Sequence, residues 1–301
     1  MTSALTRVGI IGLGDMGFGM AGNLLKAGFA VSGYDLDAKK LQAFTRIGGS
    51  PASSAKEAAE RSEIVFVMVL DAGQAKAVIL GKDGILDGLS PSGIVIITAT
   101  IGRTAVREIG EALGIRGIRL LDSPVSGGRT GAEAGALTLM IGGDADTLEE
   151  CRPVLNAVAA HINHVGRKAG DGQTVKHVLS ALTGACYVGI FEALVLGAKA
   201  RLDMDILCDV IKTSTVGNAL FRDSSTKIID RNFRAGGSKI TTMHKDLSLA
   251  LQMARENGVP MPMTSVAMEL FQAGLTVYPE EDNWSIVKIL EGIAGAKVCR
   301  G

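Results

Sequence analysis

The first half of the chain alternates short apolar runs with stretches of helical periodicity. Residues 8–11 read as a strand, followed by a helix over residues 16–27. Further strands are expected at 30–34, 64–69, 94–97 and 118–121. Near-continuous apolar runs separated by helices predict a mostly parallel, doubly wound sheet covered on both faces. Residues 137–141 add a strand, 144–160 an amphipathic helix, and 162–165 a last short strand. The pattern changes at Gly166. From there helical periodicity dominates, over 172–200, 204–213, 242–257 and 262–274, with breakers at 201–203, 234–237 and 258–260. The expected architecture is an α/β domain over residues 1–165 and an all-α domain over 166–301, joined by a long helix.

Composition narrows the class. Of 301 residues 47% are apolar and 21% charged, the profile of a folded chain. Lysine plus arginine number 31, as do aspartate plus glutamate, so no net charge points to nucleic acid or an anionic membrane. The four cysteines (Cys151, Cys186, Cys208, Cys299) and four histidines (His161, His164, His177, His244) lack the spacing of a metal site or a disulfide framework. Free thiols fit a reducing, cytoplasmic setting. Residues 1–7 lack the features of a secretion signal. Residues 178–198 are long and apolar enough to span a bilayer, which takes about 20 residues. Their Gly, Ala, Ser and Thr content and their place after an α/β domain favour a buried helix instead.

Gly12-Leu13-Gly14-Asp15-Met16-Gly17 directly follows the first strand and opens the first helix. A G-x-G-x-x-G sequence in that context marks a Rossmann dinucleotide-binding turn. Its first glycine allows the turn, the second admits the pyrophosphate, and the third lets helix and strand pack closely. The free N–H groups of the helix start face the phosphates. Asp35 ends the second strand, where a carboxylate accepts the ribose hydroxyls and repels a 2′-phosphate. NAD is therefore expected over NADP, although Lys39 or Lys40 would tolerate a phosphate.

Two further segments suggest chemistry. Asp122-Ser123-Pro124-Val125-Ser126-Gly127-Gly128 follows the fifth strand, at the carboxyl ends of the strands, where such folds bind ligands. Ser126, Gly127 and Gly128 offer a hydroxyl and unhindered N–H groups to a carboxylate, or form an ordinary loop. Gly170-Asp171-Gly172-Gln173-Thr174-Val175-Lys176 opens the most apolar helix. Lys176 there is expected to point into a cleft, sharing a face with Ser180 and Gly184. A free lysine, with a pKa of about 10.4, is a poor base at neutral pH, and desolvation lowers it toward the working range.

With these motifs the chain resembles the β-hydroxyacid dehydrogenase family, which includes 3-hydroxyisobutyrate dehydrogenase and tartronate semialdehyde reductase. The resemblance covers nearly the whole chain. It rests on the glycine turn with Met20-Ala21-Gly22-Asn23-Leu24, on Asp122–Gly128, on Gly170-x-Gly172 with Lys176, and on Lys245-Asp246-Leu247. It implies that Lys176 is the catalytic acid/base and that Ser126, Gly127 and Gly128 hold the substrate carboxylate. It implies cofactor contacts at Gly12, Leu13, Gly14, Asp15, Met16, Gly17, Asp35, Leu70, Thr100 and Lys245, and a substrate contact at Ser180. The family often has asparagine where Ser180 stands, and serine where Ala99 stands. The 176–181 segment and the ending 280–290 resemble the L-threonate dehydrogenase branch, whose substrates are four-carbon sugar acids.

The expectation is NAD-dependent oxidation of a small hydroxy acid, such as L-threonate, to the keto acid. Neither metal, nucleic acid nor membrane is expected. Small-residue faces such as Gly184, Gly189 and Gly197 suit a homodimer or homotetramer. Competing readings are 3-hydroxyisobutyrate dehydrogenase, tartronate semialdehyde reductase, a 6-phosphogluconate-type decarboxylating enzyme, an imine reductase, and a catalytically silent dinucleotide sensor. The phosphorylated substrate of the 6-phosphogluconate type would need a basic cluster, for which only Arg222, Lys227, Arg231 and Arg234 are candidates.

Overall fold

The computed structural model describes residues 7–300. The expectation about a leader at residues 1–6 lies outside them. The chain divides into two compact units, with the boundary in the sequence between Lys176 and His177.

Among the described residues the first unit holds nine strands: β1 (Arg7–Ile11), β2 (Ala30–Tyr34), β3 (Ser50–Pro51), β4 (Ile64–Val67), β5 (Ile94–Ile97), β6 (Arg119–Asp122), β7 (Val125–Ser126), β8 (Leu137–Gly143) and β9 (Ala159–Gly166). Its helices are α1 (Asp15–Lys26), α2 (Ala38–Arg46), α3 (Ala55–Glu60), α4 (Ala72–Leu80), α5 (Ile85–Gly88), α6 (Arg103–Ile115), α7 (Gly128–Ala134) and α8 (Ala145–Val158). The sheet runs β3-β2-β1-β4-β5-β6-β8-β7, with β9 paired to β8. From β3 to β6 every pairing is parallel, in the 3-2-1-4-5-6 order of dinucleotide-binding sheets.

The apolar strands are buried on both faces because alternate residues feed two cores. Val8, Ile10, Ile64, Phe66, Ile94 and Ile96 enter one. Ile11, Val65, Val67, Val95 and Ile97 enter the other. Beyond β6 the direction changes, and β8 pairs antiparallel with both β6 and β7. A parallel return needs a crossover of about a dozen residues or more. The stretch after β6 instead folds into β7 and the short α7, which ends at Gly135 with φ +65°.

A single helix, α9 (Asp171–Lys199), contributes to both units. The second unit continues with α10 (Met204–Thr213), α11 (Ala219–Ile229), α12 (Ile240–Glu256), α13 (Pro262–Val277) and α14 (Val287–Ala294). Its core gathers Val188, Phe191 and Leu194 of α9 with Ile228, Leu247, Phe271 and Trp284. Tyr187 stacks on Phe191 at 5.4 Å between ring centroids. Among the described residues α9 is the one helix long and apolar enough to cross a bilayer, and half of its most apolar stretch is buried inside the protein.

Helix α11 and strand β7 were not expected from the sequence pattern. Asn218 caps α11 by accepting from the Phe221 N–H at 2.8 Å. The helix itself buries Ser224 and Ser225, which break its apolar stripe. All four cysteines are free, with Cys151 and Cys208 buried. Burial pushes the Cys151 thiol up to about 12.

Candidate active site

The glycine turn sits where β1 feeds α1. Gly12 has φ +94°, a conformation that favours glycine, and a Cβ there would strike the Met68 carbonyl. A Cβ on Gly17 would run into the Gly12 carbonyl, so helix and turn pack backbone to backbone. At Gly14 a Cβ would meet nothing within 4 Å. Gly14 is also the N-cap of α1 and provides no side-chain cap. The helix start is thus open to a ligand, with N–H groups to offer an anion. These residues fit a pyrophosphate.

Asp35 lies just beyond β2. Its Oδ2 accepts from the Leu13 N–H at 2.7 Å, and its Oδ1 accepts from the Asp37 N–H at 2.9 Å. Lys40 of α2 pairs with it at 3.4 Å. The carboxylate is thereby fixed beside the glycine turn. Asp15 is exposed and Met16 half-buried in the first turn of α1. Leu70 follows β4 and is 70% exposed. Its N–H donates to the Gln74 Oε1 at 3.1 Å. Thr100 follows β5 and is half-buried.

The segment expected to hold a carboxylate forms β7 and the start of α7. Gly127 (φ +129°) and Gly128 (φ +59°) adopt backbone that side chains disfavour. Nothing lies within 4 Å of the position a Gly128 Cβ would take. Ser126 is half-buried beside them. Lys176 comes to this segment directly, its Nζ donating to the Val125 carbonyl at 3.0 Å.

Asp122 ends β6 and is fully buried. Its Oδ2 accepts from the N–H groups of Gly170 and Gln173, at 2.9 and 3.0 Å, and so caps the start of α9. Its Oδ1 accepts from Gln173 Nε2 at 2.7 Å. Burial pushes the Asp122 carboxyl up to about 6, against the opposing pull of these donors. Gln173 Nε2 also donates to the Ala99 carbonyl at 3.1 Å, and its Oε1 accepts from the Ile101 N–H at 2.9 Å. The pattern of the sequence attached no role to Asp122 or Gln173. Their only mark was their place within the two glycine-bearing segments.

In the second unit Ser180 is buried, and its Oγ donates to Asp246 Oδ2 at 3.4 Å. Lys245 pairs with Asp246 at 3.1 Å. Gly184 lets Leu247 pack closely, at 2.6 Å from the position of an added Cβ. The candidate basic cluster is dispersed into separate contacts. Arg222 donates to the Lys212 carbonyl, Lys227 pairs with Asp223, and Arg231 pairs with Glu291. Among the described residues no group of three or more His, Cys, Asp or Glu side chains is placed to hold a metal ion.

A doubly wound sheet with this glycine turn is the architecture of a dinucleotide-binding domain. Residues 7–166 match the NAD binding domain of 6-phosphogluconate dehydrogenase, and residues 170–290 match the NAD-binding domain of NADP-dependent 3-hydroxyisobutyrate dehydrogenase. The 2-(hydroxymethyl)glutarate dehydrogenase of Eubacterium barkeri is 33% identical, covering 98% of each chain. The L-threonate dehydrogenase of Cupriavidus necator is 34% identical over 95% of this chain and 97% of its own. The crystal structure of 3-hydroxyisobutyrate dehydrogenase from Salmonella typhimurium superposes with a TM-score of 0.85 at 31% identity, covering 94% of this chain and 99% of that one. The chain belongs to the 3-hydroxyisobutyrate dehydrogenase family of NAD-dependent hydroxyacid dehydrogenases.

Proposed function

We propose that this enzyme oxidises a small hydroxy acid, L-threonate or a related four-carbon sugar acid, to the keto acid. The observation that carries the reading is the 3.0 Å hydrogen bond from Lys176 Nζ to the Val125 carbonyl. It sets the only lysine of the 170–176 segment against the residues suited to a substrate carboxylate. Among the named relatives, one acts on L-threonate. The 176–181 and 280–290 segments favour that branch.

In this reading the N–H groups of Gly127 and Gly128 and the Ser126 hydroxyl hold the carboxylate. Lys176 in its neutral form takes the proton of the substrate hydroxyl, and in the reverse direction the ammonium returns it. Bound NAD supplies the hydride acceptor. Asp35 accepts the ribose hydroxyls and disfavours NADP. Leu70, Thr100 and Lys245 are assigned to cofactor contact, and Ser180 to the substrate. The exposed apolar residues Val178, Leu182 and Leu196 along α9 support a homodimer or homotetramer, which sedimentation measures.

The test is NADH formation with L-threonate, D-erythronate, 3-hydroxyisobutyrate, 2-(hydroxymethyl)glutarate, L-serine and 6-phosphogluconate, each with NAD and NADP. Preference for threonate or erythronate supports the branch. Activity on 3-hydroxyisobutyrate or serine alone keeps the chemistry and removes the branch. Silence on every acid favours a dinucleotide sensor. The Lys176→Ala variant is expected to lose about 10²–10⁴-fold in turnover while still binding NAD, and near-normal turnover refutes the role of the lysine.

A further inference from the structure

We propose that Gln173, held by Asp122, is a positioning residue that fixes Lys176 relative to the Thr100 loop. The proposal rests on the reading of Lys176 as the acid/base. Gln173 is fully buried, and burying an amide is costly unless its polar atoms are paired. Both of its donors and its acceptor oxygen are engaged. Oε1 accepts from Ile101 N–H at 2.9 Å, and Nε2 donates to the Ala99 carbonyl at 3.1 Å and to Asp122 at 2.7 Å. The first two bonds grip the main chain on either side of Thr100. The third, with the two main-chain bonds to Asp122 Oδ2, ties the first turn of α9 to the end of β6.

Lys176 follows Gln173 by three residues, about 4.5 Å along the helix axis. Its tip is held by Val125, three residues after Asp122 in the chain. The lysine is thus secured at its helical root by Asp122 and Gln173 and at its ammonium by the segment Asp122 begins. Glutamine meets these partners with one acceptor and two donors on a single planar group. Leucine would fill the space and leave the Ala99 carbonyl and Ile101 N–H unpaired. Glutamate would keep the shape but set a second carboxylate against Asp122. A residue needed for packing alone would not require both a donor and an acceptor here.

Gln173→Leu, Gln173→Glu and Lys176→Ala are compared with the unaltered enzyme, using NAD and the most active acid of the panel above. Gln173→Leu is expected to lower kcat about 10²-fold, the effect of a small misplacement of a catalytic group, while KM for both substrates changes little. In Gln173→Glu, kcat relative to that of the unaltered enzyme at the same pH is expected to rise as pH falls, because the paired carboxyls then share a proton and a donor returns. A readout independent of turnover is acylation of the apoprotein followed by mass spectrometry. Lys176 should label about three- to ten-fold faster in Gln173→Leu, the change that loss of one net hydrogen bond gives, with Lys199 as the reference. Should Gln173→Leu not fold, the pH profile and labelling of Gln173→Glu decide. Unchanged labelling together with an unaltered kcat, or with a pH profile like that of the unaltered enzyme, overturns the positioning role. Full turnover in Lys176→Ala overturns instead the acid/base reading beneath it.

Discussion

The main-chain N–H of Leu13 donates to the Asp35 carboxylate at 2.7 Å, linking the glycine turn to the end of the neighbouring strand. One side chain therefore braces the glycine turn and sets a negative charge beside it. Asp35→Asn keeps an acceptor for Leu13 and removes the charge. The ratio of kcat/KM for NAD over NADP is expected to fall at least about tenfold, equivalent to about 1.4 kcal/mol. Steady-state assays with both cofactors measure it, and an unchanged ratio assigns cofactor choice elsewhere.

The centre of the parallel sheet was legible because β4 and β5 are apolar on both faces. Ile64 to Val67 serve two cores, so the sequence shows an unbroken run rather than an alternating one. The long helices were legible from their period. Helix α11 was hidden because its buried face includes Ser224 and Ser225. Strand β7 is two residues long, and pairing with β8 defines it rather than any local preference. The glycine turn, Asp35 and Lys176 carried their chemistry in residue type and spacing. Gln173 did not, since its role depends on Ala99, Ile101 and Asp122, which lie 51 to 74 residues away in sequence.

Gly127 carries φ +129°. A Gly127→Ala variant places a side chain in backbone costing about 1–3 kcal/mol. The segment is expected to shift, raising KM for the hydroxy acid several-fold with little effect on NAD affinity. Kinetics at saturating NAD measure the first effect, and titration of protein fluorescence with NAD the second.

The Asp122 carboxyl, pushed up to about 6 by burial, gives a signed pH dependence. In the unfolded chain an aspartate titrates near about 3.9. Between these values the folded protein binds more protons than the unfolded one, so this group's contribution to stability falls as pH rises from 4 to 6 and is level above. Asp122→Asn removes that dependence. Urea denaturation of both proteins at pH 4.5 and 7 should show the wild-type advantage over the variant shrinking at the higher pH. An advantage that grows instead would mean the three donors outweigh burial.

Arg231 and Glu291 form an ion pair in the second unit, and Glu291 also accepts from the Val298 N–H at 2.7 Å. The Glu291 side chain is only 8% exposed. Glu291→Ala takes the carboxylate from Arg231, which keeps the Val298 carbonyl as acceptor, and leaves the buried Val298 N–H unpaired, a loss of about 1–3 kcal/mol. The sole tryptophan, Trp284, lies in the core of the same unit. Its fluorescence should report an earlier urea midpoint.

The three glycines of the turn divide their duties unequally. Gly12 and Gly17 are pressed against main chain, whereas Gly14 faces empty space. Replacing either of the first two confuses loss of cofactor with damage to the fold. On the proposed reading Gly14→Val fills the open space assigned to the dinucleotide and touches nothing of the fold. Position 14 is therefore where evolution, or an experimenter, can separate the scaffold from its coenzyme. Such a protein would be a blank, suited to separating what this family does by catalysis from what it does by being present.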